Sequence, residues 1–207
     1  MASLSAPGGS VARDWQSAYL SNDTPWDKGT AHPALSVWLA SHPLTGRILV
    51  PGCGSGHDVR ELSRNPLAVV TGLDLAPEAK RVAERFPRAG NEIYLTGDFL
   101  APEASALIPS GSFDAVFEHT CFCAIPPSSR PAYARAAAQA LRPGGLFVAI
   151  FYRNPSDRGE DGPPFGCTME ELDGLFGEGF SLHAEEAGIP TYEGREDREV
   201  LRVFKRH

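Results

Sequence analysis

A glycine-rich turn between an apolar strand and a helix places the tightest limit on the fold of this 207-residue chain. Residues 47–50 are a short apolar run that predicts a buried strand, and residues 57–63 predict the helix that follows. The turn between them carries Gly52, Gly54 and Gly56 in the spacing G-x-G-x-G. Glycine permits dihedral angles and close contacts that a Cβ forbids, so a ligand can approach this backbone. The spacing differs from the dinucleotide G-x-G-x-x-G, and a tight turn without a ligand would carry the same residues.

The rest of the chain continues to alternate strands and helices. Helices are predicted over residues 12–20, 33–40, 57–63, 77–86, 129–141 and 168–176. Strands are predicted over residues 47–50, 68–73, 92–96, 113–118, 146–151, 180–185 and 199–204. This alternation predicts an α/β fold with a mostly parallel, seven-stranded sheet and helices on both faces. Because no helix separates the last two strands, we expect an antiparallel edge. Ligands of such sheets bind at the carboxyl ends of the strands.

Length and composition favour one globular domain. The chain is 42% hydrophobic and 22% charged, an ordinary balance for a folded protein. We expect a flexible tail over residues 1–11 and a single domain over residues 12–207. No apolar run approaches the roughly 20 residues of a membrane span, and no secretory signal is visible. These features predict a cytoplasmic protein that does not bind a membrane, and we expect a monomer or weak dimer.

Charge and cysteine spacing limit the partners. The net charge of −7 argues against nucleic acid, because proteins that bind it usually present a basic face to the phosphates. A small molecule or ion is the expected partner. The four cysteines form no C-x-x-C pair and the six histidines are scattered, so no metal site is predicted. We expect the thiols to be reduced.

Acidic residues follow two of the predicted strands. Asp74 lies twenty residues beyond Gly54, where a carboxylate can accept hydrogen bonds from both hydroxyls of a ribose or, alternatively, cap the next helix. Asp98 and Phe99 follow the next strand and can bind and stack on an adenine, although an Asp is also common in turns. No Arg or Lys lies between Pro51 and Val59 to bind a phosphate. This absence favours S-adenosylmethionine over a nucleotide.

Six short motifs, in order along nearly the whole chain, carry a resemblance to a known family. They are Thr24-Pro25-Trp26-Asp27-Lys28-Gly29, Val50 to Val59, Gly72-Leu73-Asp74, Phe122-Cys123-Ala124-Ile125-Pro126-Pro127, Arg130-Pro131-Ala132 and Gly162-Pro163-Pro164-Phe165. The chain resembles the thiopurine S-methyltransferase superfamily, and within it most closely the plant-type halide and thiol methyltransferases. The resemblance implies a Rossmann-like class I methyltransferase with an N-terminal lid over its cofactor, S-adenosylmethionine.

The resemblance also assigns residues to the cofactor. An aromatic lid is implied over it, with cation–π attraction holding the sulfonium. The implied cofactor-binding residues are Trp15, Tyr19, Trp26, Gly52, Gly54, Asp74, Asp98, Phe99 and His119. Two positions depart from the family pattern. Tyr19 stands where the plant enzymes have a second tryptophan, and His119 replaces their tyrosine or the arginine of thiopurine enzymes. Both departures leave the substrate preference open.

On the acceptor side we expect a small, largely apolar pocket. The predicted pocket residues are Phe122, Cys123 and Phe165, and Tyr152 is the expected polar substrate contact. The predicted reaction is methyl transfer by in-line displacement to a halide ion, hydrosulfide or a small thiol. One alternative is a thiopurine-like enzyme acting on aromatic thiols or on selenium and tellurium compounds. Another is a regulator that binds S-adenosylmethionine without catalysis.

Overall fold

Seven strands form one sheet in the order β3-β2-β1-β4-β5-β7-β6. A computed structural model describes residues 13–102, 104–153 and 162–207. The strands are β1 Gly46–Pro51, β2 Ala68–Asp74, β3 Asn91–Thr96, β4 Phe113–Glu118, β5 Leu141–Tyr152, β6 Phe180–Ala187 and β7 Glu199–Arg206. Strands β1 to β5 pair in parallel, whereas β7 is antiparallel to both β5 and β6. The predicted mostly parallel sheet with an antiparallel edge is confirmed. The predicted tail lies outside the described residues.

Seven α-helices connect the strands in the described residues. They are α1 Trp15–Leu20, α2 Pro33–Ser41, α3 His57–Ser63, α4 Pro77–Ala83, α5 Ala104–Leu107, α6 Arg130–Ala140 and α7 Met169–Phe176. Local capping fixes where several of them begin. The Asp14 side chain accepts the Ser17 N–H before α1, and Thr168 accepts the Glu171 N–H before α7, as its capping motif predicts. Within the described residues, no helix has the length and apolar character needed to cross a bilayer.

Alternate residues of the strands enter two cores, one on each face of the sheet. In β1, Leu49 packs with residues of α6 and α7, while Ile48 and Val50 pack with residues of α2 and α3. This alternation follows from the two-residue period of a strand. Rings dominate the first core, where Phe147 stacks on Phe176 with 5.0 Å between their centroids. Helices therefore cover both faces and leave the carboxyl ends of the parallel strands open to a ligand.

Several boundaries differ from the predictions, most by one or two residues, and the short helix α5 was not predicted. Strand β5 begins at Leu141 rather than at residue 146, because Leu141 already pairs with Phe113 before an irregularity in the register. Helix α4 ends at Ala83 rather than at residue 86. Neither difference moves the residues that follow a strand's carboxyl end.

Candidate active site

The glycine turn after β1 adopts a conformation that its sequence permits. Gly52 has φ +58° and Gly54 has φ +53°, both in the left-handed region that glycine favours. A Cβ on Gly52 would lie 2.7 Å from Cys121 Cβ, and one on Gly54 would lie 2.9 Å from the Tyr19 hydroxyl. No larger residue fits either position without moving its neighbours. The turn therefore presents bare backbone to the space above the strand ends.

Asp74 ends β2 and fastens the glycine turn to the next loop. Its Oδ2 accepts the Gly54 N–H at 2.9 Å, and its Oδ1 accepts the Ala76 N–H at 2.9 Å. A carboxylate has about four acceptor positions, so Asp74 keeps acceptor capacity for a ligand. Burial raises the pKa of Asp74 above its ordinary value, against the opposing effect of these backbone hydrogen bonds. Further donors from a ligand would stabilise the ionised form.

A cavity of about 260 Å³ lies over the ends of β1 to β4. Eight of the sequence-predicted site residues line it together, although they come from five separate parts of the chain. These are Trp15, Tyr19, Trp26, Gly52, Asp74, Asp98, Phe99 and Cys123. Further lining comes from apolar side chains and prolines, among them Leu75, Ile125, Pro163 and Pro164. The cavity thus has acidic groups at the ends of β2 and β3, a largely apolar wall elsewhere, and two arginines, Arg13 and Arg195, in its lining.

Aromatic rings of the N-terminal segment contribute to one side of this cavity. Trp26 packs edge-on against Trp15 and Tyr19, with centroid separations of 5.2 Å and 5.7 Å, and its Nε1–H donates to the Tyr19 hydroxyl at 3.1 Å. Burial, followed by the nearby Asp74, raises the pKa of Tyr19 well above its usual range, so the hydroxyl stays protonated. The Arg13 guanidinium lies 4.7 Å from the Trp26 centroid. Rings in this lid therefore already hold a cation.

Asp27 joins the lid segment to the glycine turn. It accepts hydrogen bonds from the Ser55 hydroxyl and from His57 Nε2, the latter at 3.1 Å. Arg60 donates to His57 Nδ1 at 2.9 Å, which leaves the proton of the neutral ring on Nε2, facing Asp27. The hydrogen bond from His57 lowers the pKa of Asp27 well below its usual range. Asp27 thus fixes the N-terminal aromatic segment against the glycine turn.

A second, smaller cavity of about 50 Å³ is lined by Gly54 and His119 and shares Trp26, Gly52 and Thr120 with the larger one. The His119 Nδ1 lies 2.8 Å from Asp58 Oδ2, so it carries the proton and donates to the carboxylate. Among the described residues, its buried Nε2 has no hydrogen-bond partner. His119 therefore presents an unused acceptor deep beside the glycine turn.

His32, His119 and Glu199 offer potential metal-binding atoms within 4.8 Å of one another. His32 Nδ1 accepts the Ala34 N–H at 3.1 Å, which places the ring proton on Nε2. That proton is donated to Glu199 Oε2 at 2.8 Å. A metal ion on Nε2 would require the proton to move to Nδ1, where it would face the Ala34 N–H. The hydrogen bonds of this cluster therefore oppose a metal ion.

Three predicted acceptor-side residues lie behind the cavity lining rather than in it. Phe122 is fully buried and packs edge-on against Tyr133 and Phe151. The Phe165 N–H donates to the Cys123 carbonyl at 2.7 Å. Tyr152 ends β5, and its hydroxyl accepts a hydrogen bond from Arg198 Nη1 at 3.2 Å.

Sequence analysis did not single out the groups that hold the turn after β4. The buried Glu118 carboxylate accepts the Phe122 N–H at 2.8 Å and the Tyr133 hydroxyl. Burial raises the pKa of Glu118. Thr120 has φ +117°, which is rare for a β-branched residue, and it lines both cavities. The sequence shows that an acidic residue ends β4, but it does not show how deeply that residue is buried. A single sequence also gives no sign of backbone strain such as that at Thr120.

Comparison with known proteins identifies the family. Residues 11–203 match the family described as thiopurine S-methyltransferase (TPMT). The chain belongs to the thiopurine S-methyltransferase family. Its homologues are named methyltransferases, so this family member is an S-adenosylmethionine-dependent methyltransferase, not the binding-only regulator that the sequence had left open.

The alignments with relatives from plants and bacteria cover most of this chain and most of each relative. Thiocyanate methyltransferase 1 of Brassica oleracea is 34% identical over 188 residues, covering 88% of this chain and 81% of the relative. Its namesake in Arabidopsis thaliana is 35% identical over 191 residues, with the same coverage. A thiopurine S-methyltransferase of Vibrio campbellii is 29% identical, covering 81% of this chain and 82% of the relative.

Solved structures share the fold. A protein studied in the conversion of a disulfide bond into a thioacetal group during echinomycin biosynthesis has a TM-score of 0.71 and 25% identity, covering 88% of this chain and 84% of its own. The 1,6-didemethyltoxoflavin-N1-methyltransferase of Burkholderia thailandensis, bound to S-adenosylhomocysteine, has a TM-score of 0.70 and 19% identity. It covers 100% of this chain and 92% of its own. The predicted Rossmann-like methyltransferase fold is confirmed.

The residues around the larger cavity fit S-adenosylmethionine, the cofactor of this family member. Asp74 retains acceptor positions for ribose hydroxyls, and Gly52 leaves no space for a Cβ. The glycine turn itself carries no Arg or Lys, in keeping with a nucleoside that lacks phosphates. Trp15, Tyr19 and Trp26 line the cavity with aromatic rings, whose faces suit a sulfonium.

Proposed function

We propose that this methyltransferase transfers a methyl group directly from S-adenosylmethionine to a small nucleophile, namely a halide ion, hydrosulfide or a small thiol. The observation that carries the proposal is the composition of the cavity wall beyond Asp74. Apolar groups dominate there, among them Cys123, Ile125, Pro163 and Pro164. Such a wall suits a compact acceptor that needs alignment and the exclusion of water.

S-Adenosylmethionine supplies a methyl group already activated by the positive charge of its sulfonium. The chain's own residues therefore have to bind the cofactor, align the acceptor with its methyl group and enclose both. Asp74 accepts hydrogen bonds from the ribose, and the aromatic lid of Trp15, Tyr19 and Trp26 excludes water. Fixing two reactants in line can lower the activation free energy by up to roughly 7 to 11 kcal/mol. No general base is required for a halide or a thiolate.

The individual assignments on the acceptor side are part of this proposal. Cys123 lines the cavity, and Phe122 and Phe165 form the layer directly behind it. We assign Cys123 to packing and not to a covalent step, because burial raises the pKa of its thiol to about 12. Tyr152 lies behind the lining at the end of β5, and we propose that its hydroxyl is the polar contact to the acceptor. Gly54 and His119 bind the cofactor from the smaller cavity.

A thiopurine-like activity on aromatic thiols, or on selenium and tellurium compounds, is the second candidate. It is favoured by the bacterial relatives named thiopurine S-methyltransferase. Such acceptors need more room than a halide. The cavity would provide this room if the segment that carries Trp26 moved outward. Among the described residues, the Trp26 side chain is held by ring contacts and by one hydrogen bond, to the Tyr19 hydroxyl.

An acceptor panel tests the proposal. The purified protein is incubated with S-adenosylmethionine and, separately, with iodide, hydrosulfide, thiocyanate and an aryl thiol, and both S-adenosylhomocysteine and headspace products are measured. Turnover of iodide, hydrosulfide or thiocyanate supports the leading proposal. Turnover of the aryl thiol alone supports the second candidate and rejects the first. Binding of the cofactor without turnover of any acceptor rejects both.

We also propose that residues 12–207 act as one cytoplasmic domain, as a monomer or weak dimer without a nucleic-acid or membrane partner. The net charge of −7 argues against a nucleic-acid partner. Light scattering during size exclusion measures the mass. A stable tetramer would contradict the proposed state.

A further inference from the structure

We propose that Arg195 makes the methyltransferase selective for anionic acceptors. This inference rests on the proposed function and adds the charge of the acceptor to it. Arg195 lines the larger cavity together with Cys123, Pro163 and Pro164, on the side assigned to the acceptor. A guanidinium in an otherwise apolar wall attracts an anion by charge and by hydrogen bonding.

Glu199 holds the Arg195 side chain in place. Arg195 Nη1 donates to Glu199 Oε1 at 2.9 Å, and the side chain is only 18% exposed. Its guanidinium carbon lies 5.8 Å from the Tyr152 ring centroid and 5.9 Å from that of Tyr192. The ion pair and the two rings limit the directions in which the guanidinium can point. Arg195 is therefore a fixed cation and not a mobile surface side chain.

The charge of Arg195 is only partly neutralised by Glu199. His32 Nε2 and the Thr191 hydroxyl also donate to this carboxylate, at Oε2. In the part of the chain that the structure describes, Glu199 engages one of the five N–H donors that a guanidinium carries. Donors are thus left for an anion in the cavity.

Strand order separates this cation from the acids of the cofactor side. Asp74 ends β2 and Asp98 follows β3, whereas Arg195 precedes β7 and contacts the end of β5. In the order β3-β2-β1-β4-β5-β7-β6, β2 and β5 are separated by β1 and β4. Three strand spacings amount to about 14 Å. The cavity therefore runs from an acidic end to a cationic end.

Among the described residues, the other cation in the cavity lining is Arg13, which is committed to the aromatic rings of Trp15 and Trp26. Its guanidinium lies over the rings of Trp26 and Trp15, and its Nη2 pairs with Asp23 at 2.7 Å. An acceptor anion placed beside Cys123 would meet Arg195 and not Arg13. This distribution singles out Arg195.

The charge balance of the reaction determines what Arg195 contributes. As the bond from an anion X⁻ to the methyl carbon forms, the bond from the sulfonium to that carbon breaks, and the bonding pair stays on sulfur. The products are neutral CH₃X and a neutral thioether, and no proton is transferred. Because the negative charge of X⁻ fades in the transition state, Arg195 stabilises bound X⁻ more than the transition state. Its removal should therefore raise KM for the anion and should not lower kcat.

The test compares the wild type with R195M, R195K and the double variant R195M/E199Q, using thiocyanate or iodide, whichever the wild type methylates faster. R195M should raise KM for the anion, and the inhibition constant of unreactive perchlorate, by about tenfold to a hundredfold. R195K should give intermediate constants, because lysine keeps the positive charge but lacks the two parallel N–H donors of the guanidinium. The double variant should match R195M, which excludes repulsion from an unpaired Glu199 as the cause.

Two controls keep the outcome specific. Arg64 is an exposed arginine on the surface, 74% accessible, so R64M removes the same charge and should change neither constant. The dissociation constant of S-adenosylhomocysteine should stay within twofold in every variant. Equal anion constants for R195M and the wild type, or a loss of cofactor affinity that accounts for the change, would overturn the inference.

A second readout does not need turnover. Crystals of the complex with S-adenosylhomocysteine, soaked in iodide, should show an anomalous peak beside the Arg195 guanidinium in the wild type and none in R195M. A peak that persists in R195M, or its absence from the wild type, contradicts the assignment. If no acceptor is methylated but the peak appears as expected, the proposed function fails while anion binding by Arg195 stands.

Discussion

The Asp74 carboxylate accepts the backbone N–H of Gly54 at 2.9 Å, so the end of β2 holds the glycine turn that follows β1. One side chain thereby sets the shape of the turn and, in the proposed site, binds the ribose. Its oxygens are not interchangeable with an amide, because Oδ1 and Oδ2 both accept backbone donors. An Asn at this position would direct an NH₂ group at a backbone N–H.

We therefore expect D74N to weaken binding of S-adenosylhomocysteine at least about tenfold, because hydrogen bonds to a charged group contribute roughly 1.5 to 3 kcal/mol. Titration calorimetry measures the affinity. Asp114 provides a matched control, since its carboxylate also accepts a backbone N–H, from Arg47 at 2.8 Å, but at the start of β4 and outside the cavity lining. D114N should leave the affinity unchanged. Equal affinities for D74N and the wild type would refute the ribose assignment.

Trp26 should distinguish the sulfonium of the cofactor from the neutral thioether of the product. In W26L the ratio of S-adenosylmethionine affinity to S-adenosylhomocysteine affinity should fall by about twofold to thirtyfold, because a cation–π contact contributes about 0.5 to 2 kcal/mol. Any loss of affinity from altered packing affects both ligands equally and cancels in this ratio. Y19F deletes the hydroxyl that accepts the Trp26 Nε1–H and keeps the ring, so its ratio should stay near the wild-type value. An unchanged ratio in W26L would mean that this ring only excludes water.

The fold could be predicted from sequence because its signals are local and repeated. Short apolar runs such as residues 68–73 are bounded by turn residues, and proline marks the first turn of α4. The start of β5 was missed because its first residues, Leu141 to Gly145, contain a Pro-Gly-Gly sequence that normally ends a strand. Pairing with β4 overrides that local preference.

The site was predictable where residues follow strand ends, and less so elsewhere. Parallel strands carry Asp74 and Asp98 to one edge of the sheet, as their positions in the sequence imply. Arg195 lies in the charged stretch of residues 193–199, which reads like a solvated turn. Its role depends on the antiparallel return of β7 beside β5, a tertiary feature. The layer formed by Phe122 and Phe165 behind Cys123 depends on tertiary packing in the same way.

Tyr152 provides a test of the proposed polar contact at the acceptor. If its hydroxyl reaches the substrate, Y152F should lower kcat/KM about fivefold to tenfold, in line with the loss of one hydrogen bond. Steady-state kinetics with each acceptor of the panel measures this change. Y192F is a comparison variant, because the Tyr192 hydroxyl donates to the Thr30 carbonyl instead. Identical kinetics of Y152F and the wild type with every acceptor would assign Tyr152 to packing.

Glu199 should make the free energy of unfolding depend on pH in acid. Burial alone would raise the pKa of Glu199, but hydrogen bonds from His32 and Thr191, together with Arg195, lower it to about 2. The ordinary pKa of this carboxyl is 4.5, so between these values the unfolded chain binds more protons than the folded protein. The stabilising contribution is thus complete above about pH 4.5 and is lost as the pH falls towards 2.

The variant E199Q removes this titration and leaves a group that can still accept from His32. Its free energy of unfolding at pH 7 should be lower than that of the wild type by about 1 to 3 kcal/mol, at about 1.4 kcal/mol for each unit of pKa. Between pH 4.5 and pH 3 the difference should shrink, because the wild type alone loses the contribution of Glu199. Urea unfolding at each pH measures both quantities, with E84Q as a control at an exposed carboxylate. A difference that stays constant across this range would show that Glu199 does not titrate with the folded state as its contacts imply.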